Sequence, residues 1–451
     1  MKRQVPLWVI ALLAVGFIGL GGYHWLNRGR YQANERLLAE TRTAPLAVVE
    51  DRPLGVRGEW PQWRGPHRDG VVRDGKPIGW SDQAPEVVWS APMGRGYSSV
   101  AVADGRVFTQ FQEGDDEIVV CLDAADGKEV WRQGYLSNRT GDTTYGPCPR
   151  ATPTADGERV YTVGGGGQFH CFDAATGKIH WRHNLLQEFN ARQPKWDVAG
   201  SPLIDGDLVI VHPGSTENAS VVAFNKIDGK LVWRGGDDVA GYSSPIAGTI
   251  AGRRQLLMFS GTALVGYAPE SGAVLWRFPW PTQHYCNAGT PIIRGDYVFV
   301  SSGYGKGCAL VKVSATADGF RADEVYAHNG MCNHFSSSVL VGEHIYGFND
   351  GTLTCIDFRT GQDVAWTKGG LGRGSLIVAN DVLVVLGENG LLQLAEATPQ
   401  QWTPRQDWRF SRKRCWSAPV AANGRLYVRD EQRLVCLRAG GLAGHFFSTS
   451  R

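Results

Sequence analysis

The sequence predicts an all-β fold, an eight-bladed β-propeller of four-stranded antiparallel blades, closed by an N-terminal strand that completes the last blade and preceded by an N-terminal transmembrane helix. Three observations carry the prediction. Trp89, Trp131, Trp181, Trp233, Trp276, Trp366 and Trp402, with Tyr326 in one vacancy, recur every 36 to 52 residues and mostly end one phrase, as in CLDAADGKEVW (Cys121 to Trp131) and CFDAATGKIHW (Cys171 to Trp181). A repeat of this length is one supersecondary unit, which buries its apolar face only by stacking on its neighbours. Each unit also opens on a small-residue lead-in strand, counted eight times at Ser98, Ala151, Gly200, Ser243, Gly289, Ser337, Gly374 and Ser417. The Trp-type fourth strands are offset against this series. EVVWSAP around Trp89 precedes every lead-in strand, whereas the last unit, RLYVRDEQRLVCLRAGG, lacks a fourth strand of its own. If the first strand completes the last unit, the ring closes and no sheet edge stays open.

The elements follow in order. Residues 1–26 contain the nearly uncharged run Val5 to Leu26, flanked by Lys2, Arg3, Arg28 and Arg30 and long enough to cross a bilayer as a helix. It reads as a signal anchor, with a cleaved secretory signal as the alternative. Residues 27–58 form a polar linker with a short helix expected around Asn34 to Glu40, and residues 59–85 form a lead-in segment that contains EWPQWRGPHRDGVV. The propeller occupies residues 86–441, and a tail occupies 442–451. Within each unit a β-branched, aromatic second strand follows a Gly or Asn turn. The third strand carries a small residue or Cys, and turns such as Asp126-Gly127 and Thr176-Gly177 lead into the Trp strand.

Composition limits the function classes. With 58 glycines and 4 methionines the chain suits short strands and tight turns, and 43% hydrophobic residues supply a core. A net charge of +2 gives no support to nucleic-acid binding. The nine cysteines are odd in number, so at least one lacks an intramolecular partner; Cys121, Cys171, Cys355 and Cys436 share one strand position and read as buried small hydrophobes.

The phrase A-x-D-x-x-T-G-K-x-x-W, matched best from Cys171 through Asp173, Thr176, Gly177 and Lys178 to Trp181, resembles the repeat of quinoprotein dehydrogenases and of BamB-type assembly factors. The resemblance covers about Glu86 to Gly441, and PQWRGPHRDG is similar to a segment of PQQ-like repeat proteins common in planctomycete-type bacteria. It implies that the repeat Trp residues dock one blade on the next. It also implies pyrroloquinoline quinone (PQQ) with calcium as a candidate cofactor, held in the enzymes by a catalytic Asp and by Glu and Asn ligands. This chain departs from that pattern: it has no Cys-Cys pair and no C-x-x-C-H haem site, and few acids stand near the expected funnel (Asp197, Asp237, Asp238). No catalytic residue is assigned.

Segments just before the inner strands converge around a propeller's channel. They hold Arg150, Trp196, Asp197, Tyr242, His284, Tyr285, Asn287, Asn333, His334, Arg373, Arg414 and Trp416 as candidate ligand-binding residues, an interleaving of arginine and aromatic groups suited to an anionic small ligand or a protein partner. Cys286 and Cys332 stand in adjacent blades, open to a disulfide, to a soft metal site completed by His284 and His334, or to simple packing. The expected function is a membrane-anchored, periplasm-facing binding or assembly scaffold, with a PQQ-dependent or other redox enzyme as the alternative.

Overall fold

The computed structural model describes residues 31–44, 58–73 and 84–438, excepting 140, 142, 143 and 147. Eight antiparallel sheets form the ring. Their inner strands, Ala101–Ala103, Thr154–Asp156, Leu203–Asp205, Ile246–Ile250, Ile292–Arg294, Val339–Val341, Ser375–Ala379 and Val420–Ala422, define blades 1 to 8. The closure predicted from the offset holds. Glu86–Pro92 pairs with Arg433–Arg438 as the fourth strand of blade 8, with Trp89 opposite Cys436.

The repeat phrase acquires a physical meaning between blades. The indole N–H groups of Trp89, Trp131 and Trp233 donate to Ala124, Ala174 and Pro269 carbonyls of the following blade at 3.0, 2.9 and 2.8 Å. Trp181 reaches the Lys226 carbonyl at 3.3 Å and Tyr326 the Phe358 carbonyl at 2.9 Å. Inside several blades the ring faces a small residue across the sheet, Cys121 for Trp131, Ala223 for Trp233 and Gly266 for Trp276. A Cβ at Gly266 would lie 2.3 Å from the Trp276 ring nitrogen.

Two members of the series depart. Trp276 donates to Gln255 within its own blade at 2.6 Å, because blade 5 replaces the short turn by a long hairpin, Gly307–Thr316 with Gly319–His328. Trp402 does not take the docking position of its own blade. The matching position in blade 7, opposite Leu394 and next to the register shift, is Gln406, and Trp402 lies before that strand against Trp366 with its ring nitrogen buried and unpartnered. The periodicity misplaced it because the turn in blade 7 is lengthened.

The predicted transmembrane helix, residues 1–26, lies outside the described residues. Among those described, no helix is long and apolar enough to cross a membrane. The expected short helix is Glu35–Thr43, capped by Asn34. It is packed rather than free: Gln32–Ala33 adds a fifth strand to blade 5, and Leu37, Leu38 and Thr41 are buried.

Candidate functional site: an aromatic funnel closed by the lead-in segment

The lead-in segment crosses the centre of the ring. Trp60 bridges Val102 of blade 1, and the Pro61 carbonyl accepts from Ala155 N–H of blade 2. Arg68 donates to the Ser201 and Pro202 carbonyls at the start of blade 3, at 3.1 and 2.8 Å. The Trp63 indole donates to Thr290 Oγ1 before blade 5 at 2.9 Å, and Arg64 donates to the Ser337 and Ser338 carbonyls before blade 6 at 3.3 and 2.6 Å. Val71 and Val72 then pair in parallel with Val378 and Ala379 of blade 7. A single short segment can touch inner strands on every side only if it occupies the channel axis.

The plug is held by cations without carboxylate partners in contact. Arg68 is fully buried and Arg64 is 4% exposed, and both guanidinium groups bond carbonyl or amide oxygens. Burial pushes Arg68 down to about 9 and Arg64 to about 10, so both stay charged at neutral pH. Both also hold positive φ, 57° and 62°, a conformation that disfavours a side chain and that the surrounding carbonyls enforce.

Above the plug lies a cavity of about 130 Å³ with half-buried Trp63 in its lining. Six rings run in a closed circuit around it. Trp416 meets Tyr145 (5.3 Å between centroids), Tyr145 meets Trp196 (6.3 Å), and Trp196 stacks parallel to Tyr304 (6.1 Å). Tyr304 meets His334 (4.6 Å), His334 meets Phe335 (6.0 Å), and Phe335 returns to Trp416 (4.9 Å). Tyr97 and Tyr242 back this circuit through Trp416 and Trp196. Among the described residues the lining includes Arg150 and Arg373 but no carboxylate.

The predicted residues divide in three. Arg150, Trp196, Tyr242, His334, Arg373 and Trp416 line the cavity, as does Cys286. Arg414 stands behind the wall, 4.5 Å over the Trp416 ring, and His284 backs Trp196 and Tyr304 edge-on. The others are placed elsewhere. Asp197 is fully buried and bonds Arg139 and Arg150 at 2.9 and 3.1 Å, so it positions Arg150 rather than touching a ligand. Asn287 and Asn333 are buried too, spent on the Ser260, Trp280 and Phe348 carbonyls, and Tyr285 turns outward at 50% exposure. Positive φ at Asp197, His284 and Tyr285 sets these directions, which no residue pattern announces.

Cys286 and Cys332 are free thiols, with sulfur atoms aimed at the His334 and Asn329 carbonyls rather than at each other. Burial pushes them up to about 12 and about 11, which makes them neutral packing groups at pH 7. Among the described residues no cluster of three His, Cys, Asp or Glu side chains could hold a metal ion. Trp63, Tyr97, Tyr145, Tyr304 and Phe335 escaped the sequence reading. Tyr145 and Phe335 lie within the pre-strand segments and could have been found there, whereas Trp63 and Tyr304 belong to other loops.

The eight-bladed ring with its Trp-docked repeats defines a PQQ-like propeller, here with a recessed aromatic cavity. The chain belongs to the family whose model is described as outer membrane protein assembly factor BamB, matched over residues 81–144 and 115–368. It is 32% identical over 140 residues to a quinoprotein ethanol dehydrogenase of Pseudomonas putida, a match spanning 28% of this chain and 22% of that relative, so less than a quarter of the relative's length is represented. Among solved structures it is similar to BamB from Moraxella catarrhalis (TM-score 0.55, 16% identity, 81% of this chain and all of that one). It is similar also to quinohemoprotein alcohol dehydrogenase from Comamonas testosteroni (TM-score 0.60, 12% identity, 92% and 85%). At these identities the structural likeness establishes the fold.

The implied PQQ and calcium pair does not fit this funnel. Calcium takes six or more oxygen ligands with carboxylates prominent among them, and among the described residues the cavity lining contains neither Asp nor Glu.

Proposed function

We propose that this protein is a binding propeller that holds a ligand or a segment of a protein partner in its central funnel, and that it serves as a scaffold rather than as a redox enzyme. The observation that carries the reading is the circuit of six rings around a cavity whose lining, among the described residues, includes two arginines, each paired with an acid outside the lining. Aromatic walls supply large apolar contact area at low entropic cost, and guanidinium groups favour anionic partners. Burial pushes His334 down to about 4 and Cys286 up to about 12, so both are uncharged near pH 7.

The test is site-specific photo-cross-linking in cells. A benzophenone side chain at Tyr304, 38% exposed on the funnel rim, is expected to capture a defined partner, and W416A or R373E in the same chain is expected to abolish that adduct. The same probe at Ile227, away from the cavity lining, serves as the control. Equal capture at both sites, or capture indifferent to Trp416 and Arg373, overturns the reading.

We also propose that residues 5–26 anchor the chain in a membrane with the propeller on the extracytoplasmic side. Recovery of the full chain in carbonate-washed membranes, with the propeller accessible to external protease in spheroplasts, is the expected result; a soluble full-length chain overturns it.

A further inference from the structure

The lead-in segment is not a repeat, and the ring closes without it, since blade 8 is completed by Glu86–Pro92. Its residues nevertheless occupy the axis. On one side of it is the aromatic funnel with Trp63 in the lining; on the other is a wider recess of about 570 Å³, lined by His67, Asp69, Val71 and Arg73. One segment therefore divides the channel into two chambers, and the side chain it presents to the funnel is an indole.

That indole is set in place with some care. Its N–H is tied to Thr290 Oγ1, and Thr290 is in turn bonded by Ser337 Oγ at 3.3 Å. The residue after it, Arg64, and the residue five positions on, Arg68, are buried among carbonyls of blades 6 and 3. Gly65 packs its backbone 3.1 Å, measured from where a Cβ would stand, from the ring of Trp60. Burying two guanidinium groups without counter-ions is unfavourable unless hydrogen bonds replace water, so a segment built this way holds a fixed position.

We infer that the lead-in segment completes the binding site in cis: Trp63 is the floor of the funnel and contacts the ligand, and Arg64 and Arg68 are positioning residues that hold it there. The inference rests on the binding reading given above. The ligand class follows from what meets at the floor. About 130 Å³ is close to the volume that takes one benzene-sized ring in a protein interior. The ring walls and Trp63 offer flat faces, Arg150 and Arg373, ion-paired with Asp197 and Asp350 at 3.1 and 2.7 Å, keep further guanidinium N–H groups as donors, and His334 offers a buried Nδ1 that has no hydrogen-bond partner among the described residues. These groups suit a single aromatic ring that carries a carboxylate, entering ring first.

Phenylacetate is the probe, titrated into detergent-solubilised full-length protein and read by saturation-transfer NMR and calorimetry. Loss of a stacking face is expected to weaken binding about tenfold in W63A, while W63F retains most of the affinity. T290V, which leaves the ring and removes only its hydrogen-bond anchor, is expected to fall between them. Because W63A could loosen the plug, W63F and T290V carry the test wherever W63A loses more than a few degrees of Tm. Wild-type affinity in W63A and T290V, together with loss of binding in W196A, overturns the assignment of Trp63. No binding of phenylacetate to the wild type at millimolar concentration overturns the ligand class and this inference with it, whereas failure of the scaffold reading is read separately, by the cross-linking at Tyr304.

Discussion

The ring of Trp131 lies on Gly177 of the following blade so closely that a Cβ at Gly177 would stand 2.7 Å from it. Gly127 under Trp89, Gly229 under Trp181 and Gly272 under Trp233 repeat the relationship, all with φ between 72° and 74°. The glycine of each D/T-G turn thus answers two demands at once: a left-handed backbone and a flat seat for the neighbouring indole.

Gly157 separates the two demands. It also has positive φ (59°) but nothing within 4 Å of its Cβ position. Gly157→Ala is expected to cost about 1 kcal/mol, the price of the left-handed backbone alone, and Gly177→Ala about 3 kcal/mol, because the Trp131 ring must also move. Urea denaturation measures both. Equal losses would show that the indole seat adds nothing.

Trp366 and Trp402 differ in their ring nitrogens. Trp366 donates to the Thr398 carbonyl at 3.1 Å, and Trp402 has no partner. Trp366→Phe is expected to cost about 1 kcal/mol, one buried hydrogen bond, and Trp402→Phe less than about 0.5 kcal/mol. The reverse order in thermal unfolding would return Trp402 to the docking series.

Arg68 supplies donors to Gln62 Oε1 and the Ser201 and Pro202 carbonyls. Arg68→Ala leaves these acceptors unpaired beside a cavity and is expected to cost about 4 kcal/mol, while Arg68→Met refills the volume and recovers roughly half. Limited proteolysis should cut the lead-in segment of the Ala variant first. A Met variant as stable as the wild type would mean that the acceptors do not depend on Arg68.

Acid should destabilise the ring through histidines buried in the neutral form. His212 donates from Nδ1 to the Ser220 carbonyl and accepts at Nε2 from Gly241 N–H, so a second proton has no acceptor there, and burial pushes it down to about 4. Burial does the same to His170 and His328. The unfolded chain therefore takes up these protons first, near the ordinary value of about 6.5. Stability from this source is complete above pH 6.5 and is lost as pH falls from there toward 4. Tm measured across that window should drop, and His212→Gln should flatten the slope; an unchanged slope would remove His212 from the account.

The Arg139–Asp197–Arg150 group offers a further measurement. Asp197 stands between two cations, while its burial pushes it upward. Asp197→Asn removes the anion and leaves both guanidinium groups facing each other, at an expected cost of about 3 kcal/mol by chemical denaturation. Retained stability would show that the charge is already balanced by another group.

Much of the fold was legible because a propeller repeats its local rules. The Cys, Ala or Gly opposite Trp89, Trp131, Trp181, Trp233 and Trp276, the Gly under four of these indoles and the Asp123, Asp173 and Asp357 side chains that receive turn N–H groups all act within one or two blades. Their spacing survives in the sequence as a period. The series failed only at Trp402 and Trp276, where a lengthened turn and a long hairpin break it.

The site was less legible, since its members share no period. Arg150, Trp196, Tyr242, His334, Arg373 and Trp416 were recognisable as chemistry-bearing residues before inner strands, but whether each side chain enters the channel or the core depends on loop dihedrals and on neighbours hundreds of residues away. Asn287 and Asp197 occupy similar sequence positions and turn inward to buried partners.

By itself the sequence determined the number of blades, the closure by the Trp89 strand and the docking chemistry, all short-range consequences of a repeated pattern. Only the tertiary structure decided that residues 59–73 block the axis and that Trp63, outside every repeat, shares a cavity with residues from blades nearly the whole way round the ring. The reason is geometric: convergence on an axis brings together residues with no sequence relationship, and only the closed ring brings them within reach.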